Sequence, residues 1–315
     1  MFRKTTSTLK AKQAVSTLLL LGAILAGISC SRGPHPVESP ATAETKEVVD
    51  EAGRIVIVAS RIDRVVSLAP NLTEIIYAVG AGERLVGNTT FCDYPAAAKT
   101  VAKVGDTLQP SIERILALRP QLVFVSTASQ LEAFTQQLNE HKIAVFVTDP
   151  RDLEGMFRSI QGVGDLLNQS AVASELVRQL RTRAENVESA VAGRPRVSVF
   201  FQLSGQPLYT AGKSSWVTNL IECAGGRSVT ANVPEAWPRL SNEAALASRP
   251  EAVIMLSGGT MGAADARVAP ALQNSPAVKN GRVYSINGDL LTRPGPRLID
   301  GLEQIAQALH PGALK

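Results

Sequence analysis

The sequence is poor in the residues on which enzyme and metal sites usually depend. Only three of its 315 residues are histidines, and His35, His141 and His310 are far apart in the chain. A metal site or a histidine base needs ligands or a partner at closer spacing. No Gly-x-Ser-x-Gly nucleophile motif occurs either. We therefore expect no catalytic residue, no metal ligand and no cofactor, with an unrecognised enzyme left open as an alternative.

Two glycine-containing segments lack the features of nucleotide-binding loops. Gly212-Lys213-Ser214 resembles the end of a phosphate-binding loop, but Pro207 stands where that motif requires its first glycine. We interpret this segment as a turn before a helix, and the run 257–262 as a loop after a strand. The chain also lacks a run rich in Lys and Arg, so we expect no nucleic-acid partner.

Aromatic residues form only 4% of the chain, and cysteines number three. Cys92 and Cys223 could pair in an oxidising compartment. We expect them instead to be separate, partly buried thiols, because nothing in the sequence indicates that they meet. Cys30 has a different explanation, which follows from its position.

The N-terminus has the pattern of an export signal. Basic residues precede an apolar run from Ala14 to Ala26, which is too short to span a membrane. The residues from Gly27 to Cys30 resemble a bacterial lipoprotein cleavage box, which would make a lipidated Cys30 the first mature residue. The usual box has Leu in place of Gly27, so ordinary signal cleavage is the alternative. We expect a lipoprotein anchored in the periplasm or at the cell surface.

The segment after Cys30 is predicted to be a disordered tether, because Pro34, Pro36 and Pro40 lie among small and polar residues. Four of the 32 basic residues precede Cys30, so a chain starting there balances 28 basic against 28 acidic residues. The predicted organisation is a signal peptide at 1–29, the tether at 30–47, an N-terminal lobe at 48–167, a linking helix at 168–192 and a C-terminal lobe at 193–315.

Two segments of the chain have the same pattern. Each begins Ser-x-Glu, continues as a short helix, ends in Arg-Pro and leads into an apolar strand. Glu113 and Glu243 are the two glutamates, 130 positions apart (243 − 113). A repeat of this length suggests two similar lobes that face each other across a ligand cleft.

Alternating strands and helices within each lobe predict an α/β fold with mainly parallel sheets. Between the lobes, residues 170–191 contain no Gly or Pro, and apolar residues recur at helical spacing from Leu176 to Val191. Gly193 and Pro195 would end this helix. Two Rossmann-like lobes joined by one long α-helix should open less widely than lobes joined by flexible strands.

The glutamates also have a purely structural interpretation. Ser111 and Ser241 are suitable N-caps, and an acid in the first turn offsets the helix dipole. This does not explain the constant offset, which favours two docking points for a partner. Glu74 is interpreted differently, because Asn71-Leu72-Thr73-Glu74 fits a capping box.

Several segments together carry a resemblance to a known family. They are 67–74, 91–95, 212–214, 220–226, 236–241 and 289–297. In this order they resemble the ABC-importer substrate-binding proteins for vitamin B12 (cobalamin), iron-siderophores and haem. The resemblance covers roughly residues 48–309. It implies a monomer that binds a small-molecule chelate between its lobes and docks on a permease dimer with cytoplasmic ATPases.

The resemblance also implies roles for individual residues. Glu113 and Glu243 would dock onto arginines of the two permease subunits. The ligand-binding residues would be Pro70, Asn71, Phe91, Thr107, Trp237, Asp289 and Arg293. Asp289 and Arg293 would lie on the far rim of the cleft, and Trp237 in an exposed loop.

The ligand itself is less clearly indicated. At positions where the B12-binding relative has aromatic residues, this chain has Thr107, Ser126, Leu203 and Leu290, which weakens packing against a corrin. Cobalamin is the first expectation, and an iron-siderophore or haem is the alternative. A non-transport interaction protein is a further alternative from another class.

Overall fold

The computed structural model describes residues 44–126, 131–259 and 267–314. The predicted signal peptide, Cys30 and most of the tether therefore lie outside the described residues. The first strand begins at Thr45, inside the segment predicted to be tether. None of the helices in the described ranges combines the length and apolar character needed to cross a bilayer.

The first lobe is built on a four-stranded parallel sheet. Its elements are β1 Thr45–Val49, β2 Ile55–Ala59, β3 Val65–Ser67, α1 Pro70–Ala78, β4 Leu85–Asn88, α2 Ile112–Ala117, β5 Leu122–Ser126, α3 Leu131–Glu140, β6 Ala144–Thr148 and α4 Leu153–Leu166. The sheet order is β4-β3-β5-β6, and every neighbouring pair is parallel. The strands are buried and apolar, as expected for a sheet covered on both faces.

A hairpin of β1 and β2 protects the open edge of β6. Gly53 has a φ of 78° and makes the turn between the two strands. Asp50 Oδ2 accepts from the backbone N–H of Val147, while Arg54 Nη2 donates to the carbonyl of Val145. Asp50 and Arg54 also form an ion pair with a 2.7 Å N–O distance. One acid–base pair thus satisfies edge groups that would otherwise be open to another strand.

The linking helix, α5, spans Ser170–Val191 and confirms the predicted helix. Its buried stripe packs into a hydrophobic core that continues through both lobes. Its polar face is tied to both sides, because Arg181 pairs with Glu154 of α4, and Arg183 lies 2.6 Å from Asp300 of the second lobe. These contacts link α5 to both lobes.

The second lobe repeats the plan of the first. Its elements are β7 Val197–Gln202, β8 Ser204–Gly205, β9 Leu208–Tyr209, α6 Trp216–Cys223, β10 Gly226–Ser228, α7 Asn242–Ser248, β11 Ala252–Ser257, α8 Pro276–Lys279, β12 Val283–Asn287, α9 Gly288–Thr292 and α10 Leu298–Leu309. The parallel sheet has the order β10-β7-β11-β12. In each lobe the first core strand lies second in the sheet, so both have the same topology. The prediction of two Rossmann-like lobes is confirmed.

The repeated Ser-x-Glu…Arg-Pro segments adopt matching structures. Ser111 and Ser241 cap α2 and α7 by accepting from the N–H three residues on, as predicted. Arg119 and Arg249 both lie in the left-handed region, with φ of 45° and 40°. Such a residue stops a helix, and the proline after it prevents continuation.

Candidate functional site: the crevice between the lobes

The candidate site lies where the carboxyl ends of the strands of both sheets approach each other. In an open parallel sheet, ligands bind outside these ends, next to the point where the strand order reverses. In the first lobe Pro70 and Asn71 follow β3, and Phe91 follows β4. In the second lobe Asp289 and Arg293 follow β12, on and just after α9.

A cluster of charged side chains joins the two lobes at this place. Arg293 of the second lobe lies 2.7 Å from a carboxylate oxygen of Asp93 and 3.4 Å from one of Glu74, both in the first lobe. Arg297 meets Glu74 through two hydrogen bonds of 2.6 and 2.8 Å. We call Glu74, Asp93, Asp289, Arg293 and Arg297 the inter-lobe cluster.

The cluster is largely buried, with one exposed carboxylate. The side chains of Arg293 and Glu74 are 4% and 2% exposed, whereas that of Asp93 is 46% exposed. Burial opposes the ionisation of Asp93, but the hydrogen bond and charge of Arg293 outweigh it and hold the pKa of Asp93 below its usual value. Asp93 is therefore anionic at neutral pH.

Aromatic and backbone groups surround the cluster. The guanidinium of Arg297 lies 3.9 Å from the centre of the Tyr94 ring, a cation–π contact. Phe91 and Tyr94 are both exposed, at 40% and 47%. Asn71 is buried and donates to the carbonyl of Pro294 across the lobes. This rim offers aromatic surface and a carboxylate to a ligand.

Trp237 is half-buried and is connected to the same part of the second lobe. Its ring packs edge-to-face on Trp216, with centroids 5.1 Å apart. The indole N–H of Trp216 donates to the carbonyl of Leu291 in α9, the helix that carries Asp289. Trp237 is therefore positioned by packing, although the prediction placed it in an exposed loop.

Thr107 lies apart from the inter-lobe cluster in the described contacts. It belongs to the loop before α2, where Asp106 Oδ1 accepts from the N–H groups of Leu108 and Gln109. Thr107 is half-buried, and Leu108 beside it is 68% exposed. The structure thus brings together Asn71, Asp289 and Arg293, and places Thr107 on a neighbouring loop.

The capping-box interpretation of Glu74 is wrong. Helix α1 begins at Pro70 after Ala69, and Asn71 lies within the helix. Glu74 binds arginines that are 219 and 223 positions away. Sequence reasoning also missed Arg297 and did not single out Asp93 or Tyr94, although all three lie in segments that carried the family resemblance.

Glu113 and Glu243 occupy equivalent exposed positions in the two lobes. Each carboxylate accepts a hydrogen bond from its own backbone N–H and from the capping serine, and these bonds lower the pKa of both groups. Both are ionised at neutral pH. Leu246, one turn after Glu243, is 57% exposed, and Leu108, in the loop before Glu113, is 68% exposed. Each glutamate therefore has an exposed leucine near it in sequence.

The two cysteines of the described residues are free, as expected. Cys92 is buried in the first lobe, and Cys223 lies partly buried on α6 of the second. Burial raises the pKa of the Cys223 thiol, and Glu188 raises it further. Neither residue belongs to the inter-lobe cluster.

Comparison with known proteins agrees with this architecture. The family model of the periplasmic binding proteins matches residues 65–290. An uncharacterized ABC transporter substrate-binding lipoprotein of Bacillus subtilis, YvrC, is 30% identical over 311 residues, which cover 95% of this chain and 97% of the relative.

Solved structures extend the comparison. The periplasmic vitamin B12 binding protein BtuF of Vibrio cholerae has a TM-score of 0.68 at 26% identity, covering 79% of this chain and 96% of that one. A periplasmic haem-binding protein of Pseudomonas aeruginosa has a TM-score of 0.67 at 29% identity, covering 80% and 94%. This chain therefore belongs to the periplasmic binding protein family and is an extracytoplasmic substrate-binding protein of the ABC-importer type.

Proposed function

We propose that this protein captures cobalamin or another corrinoid between its lobes and delivers it to the permease of an ABC importer. The observation that carries the proposal is the rim of Phe91, Tyr94 and Asn71, which faces the second lobe at the carboxyl ends of both sheets. A corrin has apolar faces and an amide fringe, which suit aromatic rings beside polar groups. The relationship to a vitamin B12 binding protein supports the same ligand.

Haem or an iron-siderophore is the second candidate. The similarity to a haem-binding protein at 29% identity favours haem as a specific alternative. Both candidates share the character of a bulky metal chelate, so the fold alone does not separate them.

Titration of the purified protein with cyanocobalamin, haemin and a ferric hydroxamate tests the ligand proposal. We expect calorimetry to detect cyanocobalamin binding with the highest affinity. Trp237→Ala should weaken it about tenfold or more, because loss of an aromatic contact commonly costs about 2 kcal/mol. Trp237→Phe is the matched control, since it keeps a ring against Trp216. Tighter binding of haemin by the parent protein would overturn the corrinoid assignment.

The docking proposal concerns Glu113 and Glu243. Two ionised carboxylates, one on each lobe, suit a permease with two arginine-bearing subunits, because the planar guanidinium binds a carboxylate through paired hydrogen bonds. Leu108 and Leu246 would add apolar contact beside the charges. The two points act as linked contacts, so the loss of either should weaken docking.

We also propose that Cys30 carries a lipid that anchors the protein to the membrane. The box at 27–30 and the proline-containing segment after it support this, as does the lipoprotein name of the Bacillus relative. Cys30→Ala should move the protein from the membrane fraction to the soluble fraction. Retention of that variant in the membrane fraction would contradict the anchor.

A further inference from the structure

We infer that the inter-lobe cluster makes the crevice selective for uncharged or cationic chelates over anionic ones, with Asp93 as the specificity-determining residue. The inference rests on the proposed function and names the charge class of its ligand. It depends on which charges the cluster contains, how they are paired and which of them is exposed.

The cluster has an excess of negative charge. Among the described residues it combines the guanidinium groups of Arg293 and Arg297 with the carboxylates of Glu74, Asp93 and Asp289. Its most exposed charged side chain is Asp93. A ligand that enters the crevice therefore meets a carboxylate next to the rings of Phe91 and Tyr94.

The buried arginines are already engaged with acids. Arg293 lies within 2.7 to 3.4 Å of carboxylate oxygens of Asp93, Asp289 and Glu74. An anionic group of a ligand could reach Arg293 only by displacing one of them. That exchange would leave a protein carboxylate without its partner in a poorly solvated place, which is costly.

The basic residue Lys103 does not reverse this balance. Lys103 contacts the same loop, but its ammonium donates to Asn88 Oδ1 and to the carbonyls of Cys92 and Ala98 within the first lobe. These bonds use the three donors of the group.

The test uses pairs of chelates that share a shape and differ in charge. One pair is cyanocobalamin and its monocarboxylate, in which one peripheral amide is hydrolysed. The other is haemin, which carries propionates, and haemin dimethyl ester. We expect the purified protein to bind the less negative member of a pair about threefold to tenfold more tightly, and the gap to narrow at high salt because salt screens the charges.

Asp93→Asn assigns the preference to the cluster. We expect this variant to reduce the affinity ratio within a pair to about one. Asp63→Asn is the matched control, because Asp63 is also a half-exposed aspartate paired with an arginine, at 50% exposure, but it precedes β3 at the other end of the sheet. That control should keep the parent ratio.

The outcomes separate this inference from the proposed function. Equal affinity for both members of each pair, or a ratio unchanged in Asp93→Asn, would overturn the inference and leave the receptor function intact. Binding of neither pair by folded protein would overturn the proposed function and the inference with it.

Discussion

At the residue scale, Glu74 is a buried carboxylate that joins the two lobes. It receives three hydrogen bonds from Arg293 and Arg297. The sequence around Glu74 suggests that it belongs to a helix capping box, but the start of α1 at Pro70 excludes that role. The two roles differ in energy, because a lost cap costs about 1 kcal/mol whereas a broken buried ion pair costs about 3–5 kcal/mol.

Glu74→Gln should therefore lower the free energy of unfolding by about 3–5 kcal/mol, since it removes the buried carboxylate that binds both arginines across the lobes. Denaturant unfolding measures this loss. Glu175→Gln is the control, because Glu175 pairs with Arg178 on an exposed face of α5 and should have little effect. A loss of 1 kcal/mol or less for Glu74→Gln would contradict the inter-lobe role.

Asp93 should make the lobe contact sensitive to acid. Burial opposes its charge, but Arg293 outweighs burial, so the folded pKa of Asp93 lies below the ordinary value of 3.8. A lowered folded pKa stabilises the folded state above pH 3.8, and this contribution is lost as the pH falls through the folded pKa.

The difference in free energy of unfolding between the parent and Asp93→Asn isolates this effect. We expect it to be constant from neutral pH to about pH 4 and to shrink at lower pH. If the difference in free energy of unfolding between the two proteins stayed constant down to pH 2, that result would contradict the ion pair between Asp93 and Arg293.

At the element scale, the edge of β6 is closed by the turn after β1, through the side chains of Asp50 and Arg54 and through the Glu51 N–H, which donates to the Val147 carbonyl. The Asp50 carboxylate accepts from Val147 N–H and from Arg54, and Arg54 reaches the Val145 carbonyl. Such an edge needs protection, because free N–H and C=O groups can recruit another chain.

Asp50→Ala should lower the free energy of unfolding by about 2–3 kcal/mol, because it removes a buried charged acceptor from several donors. Hydrogen exchange at the Val147 amide should also accelerate. Asp63→Ala, which breaks an exposed pair with Arg61, serves as control and should change neither quantity much. Unchanged exchange at Val147 in Asp50→Ala would show that the edge has other protection.

Regular elements with strong local patterns could be predicted from the sequence. Helix α5 begins and ends within the predicted 168–192, and α2 and α7 begin directly after the predicted caps Ser111 and Ser241. Helix α4 was not predicted. It contains glycines, which weaken a helix by about 1 kcal/mol each, and Gly164 is needed where α4 approaches Ala173 of α5.

The candidate site was only partly predictable, for a physical reason. The correspondence of Glu113 with Glu243 is a repeated local pattern, so the sequence alone reveals it. The partners of Glu74 lie on the other lobe and are brought to it only by folding. The residues Asn71, Asp289 and Arg293 were indicated by family resemblance, but their engagement across the lobes required the structure.

At the scale of the whole molecule, two lobes of one topology are joined by one long helix, and each presents an ionised glutamate at the matching position of its Ser-x-Glu turn. This duplication suits a partner with two equivalent subunits. Because α5 is tied to both lobes by Arg181 and Arg183, the spacing between the glutamates should change little when ligand binds. The central claim is that this pair docks the loaded protein on its permease.

The most direct measurement is uptake of labelled cobalamin by cells that depend on this protein and carry Glu113→Lys with Glu243→Lys. Reversal replaces attraction to arginine with repulsion, so we expect uptake to be lost while thermal melting and calorimetry show a folded protein with parental ligand affinity. Glu83→Lys with Glu222→Lys reverses one exposed glutamate in each lobe elsewhere and should keep normal uptake. Normal uptake with the folded and exported Glu113→Lys, Glu243→Lys protein would contradict the account.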